Sequence, residues 1–118
     1  MTGDATSAYA HIPDLLKELT IPKDGILSRA VYADDRLKAV MFGFDTGQEL
    51  SEHTAAMPAV IEIIDGDADV LLGEDRHHAT PGTWIHMAAG THHAIRAISP
   101  LTMLLLLLRD PSEPAAGD

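Results

Sequence analysis

The chain has no cysteine. That excludes a disulfide framework and thiolate-held metal, and it leaves histidine and carboxylate as the strong ligands. Cations are scarce, with eight Lys and Arg against eighteen Asp and Glu and a formal net charge of −10. Neither nucleic acid nor an anionic membrane is expected as a partner, because both call for a basic footprint. Long apolar runs are also missing. The longest, LTMLLLLL at Leu101 to Leu108, falls far short of the ~20 residues that span a bilayer as a helix. The opening MTGDATSAYA has no basic stretch followed by an apolar run, so no secretory signal is expected and the cytoplasm is the default. No glycine loop leads into a helix as a phosphate site would require. The GDAD stretch lacks the spacing and closing glutamate of a calcium loop.

What is present is a globular composition, 46% hydrophobic over 118 residues, enough for one core. Residues 1–11 read as a flexible lead, 12–109 as a single domain and 110–118 as a flexible acidic tail. Leu15, Leu16 and Leu19 after Pro13 and Asp14 predict a short N-terminal helix. Everything beyond Lys23-Asp24-Gly25 is broken at strand-like intervals. The predicted strands are ILSRAVY, RLKAVMFGF, AVIEII, ADVLL, HHAT, TWIHM, HHAIRAI and LTMLLLLL, separated by turn formers. Asp65-Gly66 reads as a type I′ hairpin turn. The class is all-β, an antiparallel sandwich or barrel. LTMLLLLL as a strand is apolar on both faces, so the face outside the core needs cover. A homodimer is the preferred cover, with a helix or terminal segment of the same chain as the alternative.

Seven histidines are many for such a chain. In HHAIRAI, Arg96 marks the solvent side, so His93, Ile95 and Ala97 share the inward face and His92 lies near the rim. His53 leads into the most apolar part of the chain. In TWIHM, His86 shares a face with Trp84, and Ile85 shares the other with Met87; either face can be the inner one. His77 and His78 read as an exposed pair, and His11 is given no role.

The order of features resembles the cupin superfamily, the small double-stranded β-helix barrels. Gly47, His53 and Gly66 stand in the register of the first cupin motif, and Gly82, Gly90 and His93 in that of the second. Two further ligand positions of the first motif hold Ala55 and Ala59, Ala88 replaces the usual proline of the second, and Ala97 stands where asparagine is frequent. The region from about Ile26 to Leu108 also looks like small single-domain cupins of unassigned function. The resemblance implies a jelly-roll-like antiparallel barrel and, at its centre, a divalent transition metal such as Fe, Mn, Zn, Ni or Cu.

Of the implied ligands only His53 and His93 carry over, and two imidazoles alone make a poor site. His86 is the first candidate to complete the set, His92 the second by way of a bulge, and Glu62 the third, although counting by twos sends it outward. Glu49 and Glu52 flank the rim. Met57, Trp84, Met87, His92 and Glu62 are expected around the pocket, and the two alanines enlarge it for a small, partly apolar organic molecule. A metal-dependent oxygenase, isomerase or cyclase is one implied function. The alternative is a non-catalytic small-molecule-binding barrel lacking a tight metal, and a third reading makes the chain an interaction domain whose dimer is the point.

Overall fold

In the computed structural model, residues 8–110 are described. The loose ends expected of the chain lie almost wholly outside that range. Among the described residues nine strands form two antiparallel sheets. In chain order they are β1 (Ile26–Ala33), β2 (Leu37–Phe44), β3 (Glu49–His53), β4 (Ala59–Asp65), β5 (Ala68–Leu72), β6 (Asp75–Ala79), β7 (Trp84–Met87), β8 (His93–Ala97) and β9 (Leu101–Leu108). One sheet runs β1-β2-β9-β4-β7 and the other β3-β8-β5-β6. The expected short helix is a single 3₁₀ turn, Leu15–Glu18, whose first turn is capped by the Asp14 carboxylate accepting from the Leu16 N–H at 3.1 Å.

Two expectations need correction. ELSEH, left out of the predicted strands, is β3: its polar residues hide the alternation, and pairing with β8 is what makes it a strand. Asp65-Gly66 is not a hairpin turn, because β4 and β5 belong to different sheets. A type I′ turn needs positive φ at both central residues, and here Gly66 has it (φ 85) while Asp65 does not. Gly66 instead carries the chain from one sheet to the other, so close to Pro100 and Leu101 that any Cβ would run into their backbone. The tight two-residue loop lies one step later, at Gly73-Glu74, where Leu72 faces Asp75.

The core lies between the sheets. Phe44, Ile61, Ile63, Val70, Leu101 and Met103 are essentially sealed, each stabilising the fold by roughly 1.5–3 kcal/mol. Along β9 the alternation is strict: Leu101, Met103, Leu105 and Leu107 face this core, while Leu104 and Leu106 face the other way. That outer side packs on Val31, Ala39 and Met41, beneath Ile12, Leu15 and Leu19 of the N-terminal segment. Gly43 lets the segment approach, since a Cβ there would collide with Leu19 and Ile21. Part of the outer leucine face thus receives the same-chain cover that was the alternative to a dimer.

Candidate functional site

One end of the sandwich gathers the loops that matter. The Gly90 N–H donates to the Ala55 carbonyl at 2.9 Å, Gly73 N–H to His92 carbonyl at 2.7 Å and Leu108 N–H to Pro58 carbonyl at 3.0 Å. These bonds bring the 54–58 and 88–92 loops, the β5–β6 turn and the end of β9 together. His53 closes β3 and His93 opens β8 at this end, directly opposite one another in register. Their ring centroids lie 4.2 Å apart, tilted by 56°. His93 is buried at 6% exposure, while His53 is open to solvent.

Each ring is pinned by a backbone carbonyl: His53 Nδ1 lies 2.8 Å from the Ser51 oxygen, His93 Nδ1 3.0 Å from the Thr91 oxygen. A carbonyl only accepts, so in both neutral rings Nδ1 carries the proton and Nε2 keeps its lone pair. The pair is therefore two acceptors with orientation set by the main chain, and among the described residues neither Nε2 makes a hydrogen bond.

The remaining predicted site residues do not join them. Met87 is core-facing and Ile85 packs with it, which fixes the parity of β7 and sends Trp84 and His86 outward. Trp84 is 61% exposed, so it does not line a pocket, and His86 cannot reach the pair. Glu62 sits opposite Trp84 in register and shares that outer face, as its count by twos predicts. His92 points away from His93, with Nδ1 3.1 Å from the Glu52 carboxylate. Met57 is half-buried in the 54–58 loop. Glu49 and Glu52 lie not over the barrel mouth but along a shallow groove of ≈ 280 Å³ outside the four-stranded sheet, with Asp69, Arg76 and Arg96.

The four-ligand metal site implied by the resemblance does not fit these residues. Ala55 and Ala59 bring no donor atom, Ala59 is sealed in the core, and His86, His92 and Glu62 are turned away. Among the described residues no three His, Cys, Asp or Glu side chains come together as a metal-holding group.

Two residues at this end were missed in the sequence. β2 pairs regularly with β9, Lys38 opposite Leu107. Since Phe42, Phe44 and Leu107 belong to the inner core, Lys38 is on the core-facing side as well. Asp75, opposite Leu72, shares a side of its strand with buried Ala79 but is itself exposed. The signal for Lys38 was present in RLKAVMFGF, where counting back by twos from Phe44 and Phe42 reaches it.

No protein-family model and no curated protein matches the chain. Solved structures do. A conserved protein of unknown function from Streptococcus pyogenes is 30% identical over 86% of this chain and 90% of its own, with a TM-score of 0.77. A cupin superfamily protein from Desulfitobacterium hafniense is 24% identical, over 81% of this chain and 88% of its own, TM-score 0.76. An RmlC-like cupin from Desulfovibrio desulfuricans is 21% identical, over 85% and 97%, TM-score 0.76. The two sheets, their strand order and these likenesses agree: the chain has the fold of the small cupin barrels.

Proposed function

We propose that this chain is a cupin that binds a small, partly apolar organic molecule at the end of the sandwich where His53 and His93 meet, without a tightly held metal. The observation that carries the reading is the pair of carbonyl-pinned imidazoles, both with Nε2 lone pairs free. Two fixed acceptors suit a guest with a hydroxyl or N–H donor, and the apolar side chains of Leu72, Met87 and Leu107 at the same end suit the remainder of it.

A second reading keeps the metal. A histidine that binds a metal through one nitrogen usually donates its other N–H to a carbonyl or carboxylate, and both rings have that arrangement. An ion would then be held by two imidazoles and completed by donor atoms of the guest itself. Where no third protein ligand is supplied, such binding is weak.

One set of titrations separates the readings. Zinc, nickel and manganese are titrated calorimetrically into the wild type and into His93→Ala, with ring-carbon NMR following His53 and His93. Weak or absent binding of all three ions, with the rings still responding to donor-bearing small molecules, supports the metal-free reading. Submicromolar binding of any ion that is lost in His93→Ala sinks it.

The homodimer is proposed on separate grounds, with a second copy as the occupant of the outer face of the five-stranded sheet beyond the N-terminal segment. A chain of net charge −10 meets its copy most cheaply where charge is least. On this face Trp84, Leu106 and Leu108 lie around one carboxylate, Glu62, and one imidazole, His86. In a two-fold contact Glu62 of each copy can meet the other's imidazole, the self-complementarity an isologous interface needs.

A further inference from the structure

We infer that Lys38 is a second binding residue of this site, and that the guest is a small organic acid carrying, besides its carboxylate, a hydroxyl or N–H donor. The inference rests on the proposal that His53 and His93 bind a guest, and it adds the charge class of that guest.

Lys38 is a cation on the apolar side of its strand. Lysine is seldom buried unless paired, yet Lys38 is half-buried on the core-facing side of β2, between the core residue Val40 and the start of the strand. None of the ion pairs among the described residues involves it. Of the two carboxylates nearest along the chain, Asp34 is already engaged by the Tyr32 hydroxyl and by the Arg36 and Leu37 N–H groups, and Asp35 is exposed and forms no ion pair with Lys38 among the described residues. Asp75 is exposed on β6, at the far edge of the other sheet from β3. In an acidic chain with eight cations in all, a half-buried lysine on the core side of its strand, in no ion pair among the described residues, is suited to an anionic guest.

Lys38 and the histidine pair lie at the same end. Lys38 pairs with Leu107, and the next residue, Leu108, is bonded to Pro58 in the loop that follows His53. β2 and β3 are joined by a tight turn, Gln48 N–H to Asp45 carbonyl at 3.1 Å, so the two strands run back over one another in opposite sheets. Packed sheets are ~10 Å apart, and the long, flexible lysine stem spans much of that gap. A guest whose donor meets the two Nε2 lone pairs can therefore place its carboxylate on the ammonium. The reverse pose is disfavoured, because neutral Nε2 lone pairs repel a carboxylate.

The test uses a matched pair of probes, 4-hydroxybenzoate and 4-hydroxybenzamide, which share the phenol donor and differ in charge. Binding is followed by the ring-carbon NMR signals of His53 and His93 in wild type, Lys38→Met and Lys38→Arg, with backbone spectra confirming that each variant is folded. The acid is expected to shift both rings and bind at least about tenfold more tightly than the amide, as a hydrogen bond to a charged group allows. Lys38→Met should shrink that preference to within about twofold, and Lys38→Arg should keep most of it. Equal affinity of the two probes in wild type, or an acid preference that survives Lys38→Met, overturns the role of Lys38 while the histidine reading stands. If neither probe moves either ring, both fall.

Discussion

The outward faces of the two sheets are built by the same alternation and come out opposite in character. Outside the four-stranded sheet one row reads Glu49, Arg96 and Asp69 across β3, β8 and β5, with Arg96 bonded to Asp69 at 3.1 Å. Outside the five-stranded sheet stand Met41, Leu104, Leu106 and Val60. The first face is finished as it stands, since its charges are hydrated and Arg96 is paired with Asp69. The second is a half-built core, finished on one flank by Ile12, Leu15 and Leu19 and left open on the other at Trp84 and Leu108. A strand that must serve two apolar faces therefore marks where a chain needs more than its own two layers.

The sharpest break of this contrast is a cavity under the N-terminal segment. Met41 is fully buried there, and Met41→Ala should cost about 2–5 kcal/mol in urea unfolding. A loss under 1 kcal/mol would show that the segment is not a true second core.

Next comes the open flank. If Trp84 anchors a second copy, Trp84→Glu should weaken self-association more than about 30-fold, the scale of a central aromatic anchor, while leaving unfolding nearly unchanged. Sedimentation velocity over a range of concentrations reads this directly. A monomeric wild type at the highest concentration, or an unchanged variant, would leave the contrast without a partner to explain it.

The charged face should be the indifferent one. Arg96 and Asp69 are about half exposed, and Arg96→Ala is expected to cost less than about 1 kcal/mol, shrinking further in salt. A larger loss would mean that the exterior of the four-stranded sheet is structural after all.

The smallest effect belongs to the β1–β2 loop beside the apolar face. The Tyr32 hydroxyl, then the Arg36 and Leu37 N–H groups, hold the Asp34 carboxylate below its usual range, and the same contact pushes the Tyr32 phenol up. A depressed carboxylate stabilises the fold above its unfolded pKa and loses that contribution as pH falls through the folded value. The raised phenol contributes below its ordinary pKa and stops contributing as pH rises through the folded one. Asp34→Asn should flatten both limbs of the stability–pH curve slightly. An unchanged curve would count against the hydrogen bond.

Much of the fold was legible because strands announce themselves. RLKAVMFGF and LTMLLLLL alternate or saturate, and the turn formers between segments fell where the chain reverses. β3 was not legible, since ELSEH has one apolar residue and becomes a strand only by pairing with β8. The site was half legible. His93 followed from the period of HHAIRAI, whereas the parity of TWIHM was undecidable until Met87 was found in the core.

By itself the sequence determined the class, the glycine-punctuated framework and the inward turn of His93, because period-two patterning and turn chemistry are local. Only the tertiary structure decided that His53 meets His93, that His86 and Trp84 face outward, and that Lys38 shares an end with the histidines. Those are questions of which strand lies beside or across from which. Register and sheet stacking answer them, and neither is written in any one segment of the chain.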